Sequence, residues 1–315
     1  MAKRRLGRSQ LFIDPIVLGT NVIGAGVDEK TSFDILDAFT AEGFTAIDTA
    51  DSYSRWIPGN DSESEKVIGR WIKARGNRDK GLVFTKVGSD MGQGHRDLSA
   101  RWIMEEVEHS LKRLQTDYID LYQSHWPDPN TPQEETLEAH DRLVKAGKGR
   151  FIGTSNHDVS LLSEALEISR RRGFARYDTI QNEFNLYSRR KFSGALQELC
   201  VKEEVSGIHY FGLARGFLTG KYRKPEDAAK SHRGKGVVDN YFNDKGFRIL
   251  AALDKVSART GAAPSEIALA WVAAQPGVAA PIASATSVEQ VKSLARGARL
   301  TLSAEDLKVL TDAGN

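Results

Sequence analysis

The chain reads as an α/β protein built on parallel strands, and three observations carry that reading. Short apolar, β-branched runs alternate with segments of helical period, the alternation repeats eight times, and the strand runs read as buried. Strands covered by helices on both faces have that character, because βαβ crossovers bury them. The strand candidates are Pro15–Gly19, Phe44–Asp48, Leu82–Val87, Tyr118–Gln123, Phe151–Ser155, Thr179–Glu183, Gly207–Phe211 and Val278–Ile282. Their strand ends near 48, 86, 125, 155, 181 and 210 keep a fairly even beat, which favours a barrel over an open sheet without deciding it.

Helical faces lie between them. Phe33, Ile35, Leu36 and Phe39 share one face, Val67, Ile68, Trp71 and Ile72 a second, and Ile103, Val107, Leu111 and Leu114 a third. Later helices are read at Leu137–Ala146, Leu161–Arg172, Gly194–Glu203, Phe247–Thr260 and Val288–Ala295. The stretch from Asp128 to Thr131 and Ser160 read as starts, and Gly76, Gly147 and Gly173 as stops. Ahead of the first strand, Arg5–Leu6–Gly7–Arg8–Ser9 between apolar residues reads as a small hairpin that plugs the barrel floor. After the seventh strand the next waits until about 282. The polar, glycine-bearing stretch from Lys221 to Lys245 then reads as a long loop insertion, placed to act as a lid. No linker divides the 315 residues, so residues 1–315 are read as a single domain.

Composition excludes several classes. Forty-four basic against 42 acidic residues leave a net charge of +2, with no general pull towards nucleic acid or anionic lipid. One cysteine, Cys200, excludes an internal disulfide and a multi-thiolate metal site, and it sits in a helical apolar pattern as inert core. No window reaches the apolar length of a membrane span, and Asp14 and Pro15 break the basic N-terminal stretch before a signal-peptide core could form. A soluble, cytoplasmic protein is expected. Gly24–Ala25–Gly26 lacks a third glycine at Glu29 and reads as a turn rather than a dinucleotide fingerprint. The clusters Arg170–Arg172, Arg189–Lys191 and Lys145 to Arg150 carry no interleaved aromatic platform and read as solvated helix ends. The seven histidines show no ligand spacing, so no metal is expected.

Four ionisable residues fall at or just past the ends of three consecutive strand candidates: Asp48, Tyr53 in the loop after it, Lys86 and His125. Singly, each has a structural reading, Asp48 as a loop cap and His125 as a satisfied core histidine. Buried lysine is harder to place without a partner. Jointly they make chemical sense. An ammonium beside a phenol favours tyrosinate, a carboxylate holds the ammonium, and an imidazole orients a carbonyl oxygen. Such a site delivers a proton to an oxygen becoming an alkoxide, and it needs a hydride from elsewhere, most simply from a nicotinamide cofactor.

The segments GFTAIDTADSYS, VFTKVG, YIDLYQSHWPDP, GKGRFIGTSNH, IQNEFNLYSR, YFGLARGFLTGKY and PIASATSVEQ, in that order, span nearly the whole chain. On them the sequence resembles the aldo-keto reductases. The resemblance implies a (β/α)8 TIM barrel, a monomer or homo-oligomer, and reversible reduction of aldehydes or ketones with NADP(H). It implies that Tyr53 donates the proton, Lys86 lowers its pKa, Asp48 partners Lys86 and His125 orients a small-molecule carbonyl substrate. It also implies that Ser155, Asn156 and Gln181 hold the nicotinamide carboxamide and that Tyr210 stacks on the ring. Thr20 and Asn21, with Asp48, fall near the ribose. Phe211, Leu213, Arg215 and Gly216 match the pyrophosphate segment, and Ser284, Thr286 and Gln290 the adenosine end. Tyr210–Phe211–Gly212–Leu213 departs from the family's Tyr-Ser-Pro-Leu. Ser284, Thr286 and Leu294 stand where glycine, a basic residue and asparagine are usual, which weakens the 2′-phosphate site. Arg296 or Lys292 is a substitute, so NADP(H) is preferred and NAD(H) is the alternative. Ile23, Trp56 and Trp126, with Met91 and Tyr241, are read as the pocket mouth, suited to aryl or bulky cyclic carbonyls. Two other readings compete. One is a regulatory nicotinamide-binding barrel like the potassium-channel β subunits; the intact set of four and the lack of an extra terminal segment count against it. The other is an isomerase or lyase without nicotinamide.

Overall fold

In the computed structural model, which describes residues 2–231 and 233–315, eight parallel strands close into a barrel. An antiparallel hairpin, β1 (Arg4–Arg5) and β2 (Phe12–Ile13), precedes it. The barrel strands are β3 (Val17–Gly19), β4 (Ala46–Asp48), β5 (Leu82–Val87), β6 (Ile119–Ser124), β7 (Gly149–Ser155), β8 (Tyr177–Gln181), β9 (Ser206–His209) and β10 (Val278–Ala283), each paired with the next and β10 closing on β3. This is the TIM barrel that the even strand spacing favoured.

The helices are α1 (Glu29–Ala41), α2 (Glu63–Arg75), α3 (Ala100–Leu114), α4 (Gln133–Lys145), α5 (Val159–Arg172), α6 (Ala195–Glu203), α7 (Gly234–Tyr241), α8 (Asp244–Thr260), α9 (Pro264–Ala273), α10 (Val288–Arg299) and α11 (Ala304–Ala313). Gly69 lets α2 and α3 touch backbone to backbone: a Cβ there would lie 2.1 Å from the Arg113 carbonyl oxygen. Inside the barrel, Val17, Ala46, Phe84, Leu121, Ile208 and Ala280 form one cluster with Leu6, Leu11 and Ile13 of the hairpin. The hairpin is pinned there by polar bonds as well. Gly7 N donates to Ser206 Oγ (2.8 Å), Arg8 N to Asp178 Oδ1 (2.9 Å), and Arg4 to the carbonyls of Val278 and Ala279 (3.2 and 3.1 Å). The floor is therefore plugged, as the sequence implied.

Several boundaries differ for local reasons. The sixth barrel strand ends at Gln181 instead of Glu183, because Asn182 turns its side chain to the carbonyls of His157 and Lys191, both at 2.8 Å. The seventh stops at His209 because Phe211 takes a left-handed backbone, φ 58°. Helix α4 begins after Pro132; Asp128 instead accepts from Leu98 N (3.0 Å) and Thr131 Oγ1 (2.7 Å). Asp158, not Ser160, caps α5 through Leu161 N at 2.9 Å. Among its described residues the insertion after β9 forms 3-10 turns at Ala214–Thr219 and Pro225–Lys230, followed by α7.

Three buried imidazoles outside the Tyr53 rim predict an acid-sensitive fold. Burial lowers His140 and His157 to about 4 and His209 to about 3. Below an unfolded value of about 6.5 the unfolded chain binds protons that the folded chain refuses, so stability falls with pH down to those folded values. By pH 5 each imidazole contributes about 2 kcal/mol to that loss, about one and a half pH units at roughly 1.4 kcal/mol each. The expected result is a urea midpoint clearly lower at pH 5 than at pH 7, and an unchanged midpoint would show these rings to be hydrated.

Candidate active site

Asp48 closes β4, Lys86 lies near the end of β5, and His125 follows β6 directly. Parallel register sets these ends at one rim, with Asp48 opposite Phe84 and Lys86 opposite Gln123. Tyr53 is carried back over that rim by a turn in which its N–H donates to the Ala50 carbonyl (3.2 Å). Lys86 is wholly buried and spends its three protons within the site. It donates to Asp48 Oδ2 at 2.6 Å, to the Thr49 carbonyl at 2.7 Å and to the Tyr53 hydroxyl at 3.0 Å. Asp48 Oδ1 accepts from Gln181 Nε2 (3.0 Å) and Gln123 Nε2 (3.2 Å). A buried ion pair is tolerable only when its remaining valences are met in this way.

The electrostatics follow. Burial pushes the Tyr53 hydroxyl above its ordinary value; the Lys86 ammonium pulls it down, but not enough to reverse the shift. The sequence reading that Lys86 makes the phenol more acidic thus holds for the pair and is outweighed by desolvation. Burial opposes the charge on Lys86, yet Asp48 and Tyr53 more than compensate, and its pKa is raised. Burial first, and then the Lys86 and Arg96 cations, hold His125 well below the histidine range, so its ring is neutral. The site therefore presents a protonated phenol, a fixed ammonium and a neutral imidazole at pH 7.

His125 stacks on Trp126 (5.5 Å, 19°), and the Arg96 guanidinium lies over the Trp126 ring at 4.6 Å. Trp56, 56% exposed, sits edge-on to Tyr53, and Met91 is half-buried nearby, its carbonyl accepting from Arg55 at 2.9 Å. Ile23 lies against the turn that carries Tyr53, its carbonyl accepting from Ser54 Oγ at 2.5 Å. Ile23 is buried in the layer between strands and helices, and Tyr241 stacks on Phe217 inside the insertion.

The residues matched to a dinucleotide follow the same rim. Asn156, left-handed at φ 61°, donates to the His125 carbonyl (3.0 Å) and accepts from the Tyr210 hydroxyl (2.8 Å). Ser155 Oγ donates to the Gln181 carbonyl (2.6 Å), and Gln181 spends its amide on Asp48. Thr20 is buried and braces the Asp48 carbonyl at 2.9 Å, while Asn21 accepts from Ser284 Oγ at 2.7 Å. After Tyr210, three non-glycine residues, Phe211, Ala214 and Arg215, hold left-handed backbone before Gly216, with Leu213 between them. Such strain clusters at ligand clamps, and the Arg215 guanidinium over Phe211 is exposed there. Gln290 Oε1 accepts from Thr286 N (2.9 Å) at the start of α10. Arg296 is already paired with the buried Glu266 at 2.8 Å, whereas Lys292 is exposed and 4.0 Å from Glu289. A row of amides, hydroxyls and an exposed guanidinium beside the phenol fits a phosphate-bearing dinucleotide. Among the described residues, no cluster of three or more potential metal ligands occurs.

Some supporting residues were not read from the sequence. Gln123 was legible as the strand partner of Lys86. Asp51 was not: burial first, then Glu106 and Glu65, keeps its carboxyl well above the usual range, under the Tyr53 turn. Glu65 accepts from Thr85 Oγ1 (2.5 Å) and from Arg113 (2.6 Å), charges hidden in helix faces that read as apolar.

The model of the Aldo/keto reductase family matches residues 15–315. The chain is 37% identical to Aldo-keto reductase YhdN of Bacillus subtilis (strain 168), over 93% of this chain and 87% of that one. It is 31% identical to Protein tas of Escherichia coli (strain K12), over 98% and 96%. It is also 30% identical to a probable voltage-gated potassium channel subunit beta of Oryza sativa subsp. japonica, over 92% and 89%. Given the closed barrel and this similarity along nearly its full length, the chain belongs to the aldo/keto reductase family and is an oxidoreductase.

Proposed function

We propose that the protein reduces aldehydes or ketones to alcohols, reversibly, with NADPH as the preferred donor and NADH as the alternative. The observation that carries this reading is the Tyr53 hydroxyl held 3.0 Å from a buried ammonium that is itself 2.6 Å from a carboxylate. Nicotinamide, when bound, supplies the hydride to the carbonyl carbon. The protein's part is the oxygen. Tyr53 gives its proton to the developing alkoxide, and the Lys86 charge stabilises the tyrosinate left behind. Asp48 keeps Lys86 charged and aimed, with Gln123 and Gln181 fixing the carboxylate. Neutral His125 orients the carbonyl by hydrogen bonding. Asn156, Ser155 and Tyr210 would hold the carboxamide end, Arg215 with Gly216 the pyrophosphate, and Thr286 with Gln290 the adenosine end. Trp56 and Trp126 wall the mouth and favour aryl or bulky cyclic carbonyls over small sugars. The potassium-channel relative keeps a regulatory role in view, but a fully assembled proton-delivery site supports turnover.

The test is consumption of NADPH and of NADH over a panel of aryl aldehydes, cyclic ketones and sugar-derived carbonyls. Turnover of aryl substrates with NADPH ahead of NADH is expected. Tight NADPH binding without turnover of any member would reject the reductase reading in favour of the regulatory one.

A further inference from the structure

His125 turns Nδ1 to Ser89 Oγ at 3.0 Å, and Ser52 Oγ donates to Ser89 Oγ at 3.1 Å. Two rim loops supply this pair. Ser52 lies in the turn after β4, its N–H held by Asp51 Oδ1 at 2.6 Å, and Ser89 follows β5. Ser89 and His125 are buried. A hydroxyl has one proton to give. Ser89 Oγ already receives the proton of Ser52, and among the described residues its remaining partner is Nδ1. Were Nδ1 the donor, it could use the second lone pair of Ser89 Oγ, but the proton of that buried hydroxyl would then have no partner among the described residues; the Ser89 proton is therefore assigned to Nδ1, leaving it the bare nitrogen of the ring. No protein group among the described residues takes Nε2, on the far side of the ring from Ser89.

We infer that the Ser52–Ser89 hydroxyl pair fixes His125 in the Nε2–H tautomer, making it a standing hydrogen-bond donor to the substrate oxygen. Tautomers are set by what the other ring nitrogen bonds, and here the partner is a relayed serine hydroxyl, not a carboxylate or carbonyl. Ser89 and Ser52 are thus positioning residues acting through His125. An imidazole presenting a lone pair from Nε2 would repel a carbonyl oxygen, so the relay decides whether His125 helps or hinders. The position of the proton stands on geometry alone; the use made of it rests on the carbonyl-reduction reading.

The test is two-bond 1H–15N correlation on histidine-labelled protein at pH 7.5, with the His125 signals identified by their loss in His125→Asn. Wild type is expected to show a protonated Nε2 and a pyridine-like Nδ1. Ser89→Ala should move the ring to a tautomer mixture and lower kcat for an aryl aldehyde on the order of tenfold, with NADPH affinity unchanged. Ser89→Thr should restore both, and Ser52→Ala should shift the tautomer partway. A wild-type ring protonated on Nδ1, or a Ser89→Ala ring still wholly Nε2–H, overturns the inference. Should Ser89→Ala not fold, the wild-type spectrum decides alone. An Nε2–H ring in a protein that reduces no carbonyl would leave the tautomer standing and remove the reaction instead.

Discussion

Tyr53→Phe should lower carbonyl reduction by at least ~10²-fold while leaving NADPH affinity nearly intact, because it deletes the proposed proton donor and little else. The phenyl ring keeps its edge contacts with Trp56 and His125; only the bond from Lys86 at 3.0 Å is lost. Steady-state absorbance of NADPH reads the rate, and fluorescence titration reads the binding. Full activity in the variant would exclude Tyr53 as the acid. The wild-type pH profile carries the same logic. With the phenol raised above its ordinary value and His125 held well below the histidine range, neither group changes charge between about pH 6.5 and 8.5. Reduction should run level across that window and fall only in strong alkali. A limb near 6.5 would mean that a charged imidazole takes part.

Lys86→Met should be the most damaging single change for stability as well as for turnover. It leaves the Asp48 carboxylate, 1% exposed, without its cation at 2.6 Å. Removing one member of a buried ion pair costs about 3–5 kcal/mol, much of it from the orphaned charge. Adding Asp48→Asn should therefore recover a large part of the lost stability while recovering no activity. Urea unfolding of the two single variants and the double variant measures the coupling. Additive losses would show that the ion pair is not the source.

The barrel was legible because its strands are apolar runs set at regular intervals, and the rim set because a lysine in VFTKVG contradicts its surroundings. Helix α9 was not, since its sequence PSEIALAWVA is apolar on every side and shows no helical period. Helix α11 had a signal that went unread: Ser303 ahead of Asp306, whose N–H it accepts at 3.1 Å. Pocket residues were harder for a different reason. Ile23 and Tyr241 are placed by loop paths, and a loop's path depends on contacts remote in sequence, such as Asn60 to the Gly24 carbonyl. The sequence shows Lys86 as the partner that lowers the Tyr53 pKa, but not the desolvation that outweighs it, because desolvation depends on everything packed around a group.

The stopper that Leu6, Leu11 and Ile13 make seals one end of the cylinder, so the rim that carries Tyr53 and Lys86 opens at the other. Ala2 and Lys3 lie on the sealed side and are exposed. Molecules moored to a bead by that end would stand with their openings outward, and should work as fast immobilised as free.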